Sequence, residues 1–163
     1  MNKLAINVGK SIAILAVLFT TSCGTIPVTG NNSVAYVSTK SPRNFQSLLN
    51  HERARAGLTG LKPSSKLTAA ARGHARDMSN NKYFSHVNAS GRRIDYRVNA
   101  QGYGYCWVAE NIAWGQQDQA DVMKAWMASS GHRRNNLNPR ATEYGLARTS
   151  DDYWVLVLGK PGC

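Results

Sequence analysis

The sequence predicts a mixed α+β domain built in layers, and three observations carry that expectation. Amphipathic helical periodicity dominates the segment from Asn44 to Gln101. A continuous apolar run, Val108 to Trp114, is closed by Gly115. Two more strand-like runs, Glu143 to Arg148 and Tyr153 to Leu158, end the chain around Ser150-Asp151-Asp152, which predicts a hairpin. Helices early and strands late argue against regular βαβ alternation.

The N-terminus is not part of that domain. Lys3 precedes a short apolar run from Ile12 to Phe19 and the small residues Thr20-Thr21-Ser22. This order describes an export signal over residues 1–22, and the run is too short for a spanning helix. The small residues ending at Cys23 resemble a bacterial lipoprotein processing box, with Thr20 where Leu is usual. That resemblance implies lipidation of Cys23 as the first mature residue. Ordinary signal cleavage and an uncleaved anchor are the alternatives. Residues 24–43 hold Pro27, Gly30, Asn31, Asn32 and Pro42 without periodicity and read as a tether. The domain is expected over 44–163, one core's worth of chain.

Within the domain, Leu48, Leu49, Arg53 and Ala56 share a helical face that Gly57 stops. Arg53 there either snorkels or anchors a buried acceptor. Pro63-Ser64-Ser65 opens the clearest amphipathic helix, with Leu67, Ala70, Ala71, His74, Ala75 and Met78 on one side. His74 is expected as a satisfied core histidine. Asn80-Asn81 ends the helix, and Tyr83-Phe84-Ser85 leads to His86 in a loop, a placement that suits function better. Ile94 to Gln101 has weak helical periodicity. Ala120 to Ser130 reads as a helix presenting Val122, Met123, Trp126 and Met127, with Asp118 or Asp121 at its N-terminus.

The apolar run carries the chemical anomaly. Glu110 and Asn111 stand together in its middle, and a buried carboxylate must be paired, hydrogen-bonded or protonated. The formal charge is +11, falling to +9 without the export signal's Lys3 and Lys10. For an exported chain this favours anionic envelope surfaces over nucleic acid, although a merely soluble basic surface fits equally. With Cys23 assigned to lipid, Cys106 and Cys163 form an even pair, read as a disulfide in an oxidising compartment. There is no HExxH, phosphate loop, CxxC or Gly-x-Ser-x-Gly elbow.

Three segments resemble the CAP superfamily, which includes cysteine-rich secretory proteins, venom allergens, plant pathogenesis-related proteins and many bacterial exported proteins. They are Tyr83-Phe84-Ser85-His86, Ala109-Glu110-Asn111-Ile112-Ala113, and Ala125 to Leu137 with its Ser129-Ser130-Gly131-His132-Arg133-Arg134-Asn135-Asn136 core. Leu49-Asn50 with Arg53, Ala71 to Met78, Glu143-Tyr144-Gly145-Leu146 and Tyr153-Trp154 add matches in order. The resemblance implies a three-layer α-β-α sandwich with a cleft of two histidines and two acids. His86, Glu110 and His132 match that set. The second acid does not: Ser129-Ser130 stand in its region, as in much of the bacterial branch.

Two functions follow as expectations. The first is an envelope-anchored, non-enzymatic binding module, monomeric, whose cleft and basic surface take a lipid, a cell-wall polymer or a protein partner. It would be lipid-anchored, facing the periplasm from the outer membrane in a diderm host, or else secreted. The second is a hydrolase using the same cleft, either with zinc held by His86 and His132 beside Glu110 or with Ser129 or Ser130 as nucleophile beside a histidine and Glu110.

Overall fold

The computed structural model describes residues 44–163; the export signal, Cys23 and the tether lie outside the described residues. The elements are α1 (Phe45–Arg55), β1 (Lys62–Pro63), α2 (Ser65–Asn81), α3 (Ile94–Asn99), β2 (Tyr105–Trp114), α4 (Gln119–Ala128), α5 (Ser130–Asn136), β3 (Glu143–Arg148) and β4 (Tyr153–Pro161). The sheet order is β1-β3-β4-β2, antiparallel except for the short parallel pairing of β1 with β3.

Strand alternation separates two cores. Trp154, Leu156 and Leu158 of β4 pack with α1 and α4 through Phe45, Leu49, Val122 and Trp126. Val155 and Val157 point the other way, onto Leu67, Ala71, Ala75 and Met78 of α2 and Val98 of α3. Helices therefore cover both faces, which is the expected α-β-α sandwich. The approach of α2 requires Gly145: a Cβ there would collide with the backbone of Leu67 and Thr68.

Caps explain several helix starts. The Asn44 side chain accepts from Ser47 N–H, and Asp118 accepts from Ala120 and Asp121 N–H. Arg53, 1% exposed, anchors acceptors. It donates to the carbonyls of Thr59 (2.9 Å), Asn136 (2.8 Å), Asn138 (3.0 Å) and Ala141 (3.4 Å), tying α1 to the chain after α5. The Cys106–Cys163 disulfide forms, with Cα atoms 5.1 Å apart, and closes 57 residues of chain.

Two expectations are corrected. Pro63 lies in β1, so the helix begins at Ser65. The apolar run, expected from Val108, belongs to a longer strand, β2, that starts at Tyr105 and lies at an edge of the sheet. It is apolar on both sides because helices cover both faces. Its outer edge is also closed: Ile112 C=O accepts from Trp126 Nε1 (3.2 Å), and Glu110 C=O accepts from Asn135 Nδ2 (3.4 Å). Covering an edge in this way removes a template for unwanted pairing.

Candidate functional site

Consecutive residues of β2 point to opposite faces, so Glu110 and Asn111 serve different layers. Glu110 points toward α2 and α3 and is 7% exposed. Its Oε1 is 2.8 Å from His86 Nδ1 and 3.8 Å from His74 Nε2, and its Oε2 is 2.6 Å from Arg97 Nη2. Burial pushes the Glu110 carboxyl up, but the His86 hydrogen bond, then the Arg97 and His74 charges, outweigh it and hold it below the usual range. The carboxylate can only accept, so His86 Nδ1 carries the proton and its Nε2 is the basic nitrogen. The His86 side chain is 45% exposed.

His74 is buried, as expected, with Nε2 donating to Ser85 C=O at 2.9 Å. Desolvation lowers its pKa against the opposing pull of Glu110, so the ring is neutral at pH 7. Arg97 is the residue that sequence reading missed. Besides Glu110 it binds the carbonyls of His86 (3.2 Å) and Arg92 (3.1 Å), fixing the loop that presents His86. The only signal for it was a cation beside Val98 in a short helix of weak periodicity.

On the other face Asn111 is fully buried. Its Nδ2 donates to His132 C=O (3.1 Å) and Asn136 Oδ1 (2.9 Å), and its Oδ1 accepts from Asn135 Nδ2 (2.8 Å). The network locks α5 against β2. Asn135 also reaches Glu110 C=O at the outer edge of β2. A cavity of about 240 Å³ opens at the β2 edge, lined by His86, Arg93, Ile94, Ala109, Glu110 and Asn135.

His86 and Glu110 thus meet as expected, but His132 is not Glu110's partner. No ion pair joins them among the described residues; His132 is tied in through its backbone carbonyl. Its pKa is lowered by desolvation first and by the neighbouring His86 second. Ser129 is the junction between α4 and α5; its N–H donates to Trp126 C=O, and its side chain caps neither helix. Its hydroxyl hydrogen-bonds to no histidine among the described residues.

Glu110 is not free to serve as a ligand for the expected zinc ion. Both Glu110 oxygens are engaged, one by a guanidinium, and among the described residues no three His, Cys, Asp or Glu side chains are grouped to hold a metal. The chemistry the cluster can do is narrower. Glu110 orients His86, whose Nε2 can accept a proton or a hydrogen bond from something in the cavity.

The model of the cysteine-rich secretory protein family, CAP, matches residues 46–158. Among curated relatives, the uncharacterized protein YkwD of Bacillus subtilis (strain 168) is 40% identical over 100 residues, covering 61% of this chain and 38% of its own length. The uncharacterized membrane protein YlbC of the same organism is 31% identical over 110 residues, covering 68% and 32%. The chain therefore spans well under half the length of these relatives. Among solved structures, an extracellular protein containing a SCP domain from Bacillus anthracis str. Ames superposes with TM-score 0.68 at 29% identity, covering 71% of this chain and 39% of that one. An outer surface protein from Borrelia burgdorferi shares the fold, with TM-score 0.67 at 23% identity over 72% and 90% of the two chains. With the family match running from α1 to β4, the chain belongs to the cysteine-rich secretory protein (CAP) family.

Proposed function

We propose that this CAP domain is a non-enzymatic binding module of the cell envelope. Its cleft at the β2 edge, built on His86, Glu110 and Arg97, would take an anionic or hydrogen-bonding group of a lipid, wall polymer or partner protein. The observation that carries this reading is the commitment of Glu110: both oxygens are engaged, by His86 at 2.8 Å and Arg97 at 2.6 Å. A carboxylate so held, with its side chain 3% exposed, orients its neighbours rather than meeting a ligand itself. Around the cavity, Arg93 supplies a donor for an acidic group and His86 Nε2 an acceptor for a hydroxyl or N–H group, and the charge of +9 left without the export signal's Lys3 and Lys10 would assist encounter.

Placement outside the cytoplasm belongs to the same reading. It is supported by the export-signal sequence before Cys23, by the Cys106–Cys163 disulfide, and by relatives described as an extracellular protein and an outer surface protein. Anchoring through a lipid on Cys23 is part of the proposal. Labelling cells with a fatty-acid probe, with Cys23→Ala as control, tests it; no Cys23-dependent label would remove the anchor.

The His86–Glu110 pair also favours a second reading. An imidazole oriented by a carboxylate with its other nitrogen free is the base–orienter half of a hydrolytic site. Here water in the cavity would have to be the nucleophile, since Ser129 does not join the pair. Co-sedimentation of the purified chain with sacculi and with anionic vesicles, across a salt titration, separates the two. The binding reading expects retention at low salt that weakens in His86→Ala/His132→Ala. Absence of retention together with His86-dependent hydrolysis of peptide or ester substrates would put the second reading in its place.

A further inference from the structure

The opposite edge of the sheet poses a different problem. β1 pairs only with Glu143 and Tyr144, so β3 beyond Tyr144 has no strand beside it among the described residues. β3 pairs with β4 in a fixed alternation. Thr149 N–H binds Tyr153 C=O, which places residues 145, 147 and 149 toward β4. The backbone N–H and C=O of Leu146 and Arg148 therefore face outward.

They border a cavity of about 550 Å³, bounded by α2 on one side and β3 on the other. The α2 wall presents Arg72 and Arg76, one turn apart, followed by Ser79. α2 runs along β3: Leu67 and Thr68 sit over Gly145, while Ser79 reaches Asp151 at 2.8 Å. Nearby acids already have cations. Lys82 is 3.1 Å from Asp151, and Arg148 is paired with Asp152. Arg72 and Arg76 are exposed, and neither is in an ion pair among the described residues.

We propose that this groove docks an extended acidic segment of a partner protein, which adds to β3 as a strand and sets alternate carboxylates against Arg72 and Arg76. Two independent features select that occupant. The open edge offers a donor and an acceptor at each outward residue, which another peptide backbone matches and a simple anion does not. The arginines are about 6 Å apart along the helix axis, close to the spacing of about 6.5–7 Å between same-face side chains of a strand. A second copy of this chain is disfavoured. Edge-to-edge pairing across a two-fold would bring two Arg72/Arg76 sets together, and like charges oppose it. The groove lies at the other edge of the sheet from the His86 cleft, so it does not depend on what that cleft binds.

The test is fluorescence polarisation with a labelled ten-residue peptide of alternating Glu and Thr, titrated with the purified full chain. The groove predicts saturable binding that weakens with salt. It predicts a loss of about tenfold or more in Arg72→Glu/Arg76→Glu, whose exposed positions leave the melting temperature unchanged. The same peptide N-methylated at alternate residues keeps its charge but cannot complete the ladder, and binds at least about tenfold more weakly. No saturable binding of the unmodified peptide overturns the proposal. So does equal binding of the N-methylated peptide or of inorganic polyphosphate, either of which would make this a plain anion site.

Discussion

Glu110 and Asn111 are neighbours on one strand, yet they do opposite work. Glu110 enters a charged cluster that ends in a half-exposed histidine beside a cavity. Asn111, itself fully buried, enters a neutral amide network, where its side chain makes three hydrogen bonds. The difference separates what the domain presents from what holds it in shape. The Asn111 network places α5 and thereby Asn135 at the cleft; the Glu110 cluster places and orients His86. A buried polar residue can thus be scaffold or site, and the discriminator is whether its contacts orient a half-exposed imidazole or only lock neutral amides together.

Breaking the charged side should cost most. In Glu110→Gln, Arg97 stays buried without its carboxylate, and removing one partner of a buried pair costs about 3–5 kcal/mol. Denaturant unfolding would measure it, and Glu110→Gln/Arg97→Met should recover a large part, because the orphaned charge goes too. Breaking the neutral side comes next. Asn111→Leu strands Asn135, Asn136 and the His132 carbonyl, for an expected loss of about 2–3 kcal/mol. Its signature should also differ: stability falls equally at all pH values, because nothing that titrates has lost a contact.

The pH dependence sharpens the same contrast. The folded pKa of His74 is depressed by burial. As pH falls below about 6.5, the unfolded chain takes up a proton there before the native state does, so stability drops on acidification. Glu110 is also depressed, so its contribution holds above its unfolded value and is lost as pH falls below that through the folded one. Stability measured from pH 7 to pH 5 should therefore decline, and His74→Gln should flatten the decline. The smallest stability effect belongs to His86→Ala, below about 1 kcal/mol, because the ring is half exposed and screened. Its effect should appear in ligand retention instead.

The layered α+β class, the main helices, the β3–β4 hairpin and the disulfide were legible from periodicity, turn residues and cysteine parity. Glu110 was legible as a charge needing partners, and His86 as one of them. Arg97 was not, because its role depends on α3 packing against the loop after α2, which no local pattern encodes. The edge position of β2 was hidden for a related reason. An apolar run reports burial on both faces, and α2 and α3 on one face with α4 and α5 on the other supply that burial without any strand on the outer side. His132 entered the expected cluster through its motif; its backbone carbonyl is held by Asn111, and its ring neighbours His86 without pairing with Glu110.

The central claim is that Glu110 is committed to Arg97 and His86 and is closed to an ion. Calorimetric titration of zinc into the chelated full chain tests it most directly. The account predicts no saturable heat at micromolar zinc in the wild type and none in His86→Ala. Stoichiometric zinc uptake in the wild type, abolished by His86→Ala or Glu110→Gln, would contradict it and return the cleft to the metal-dependent reading.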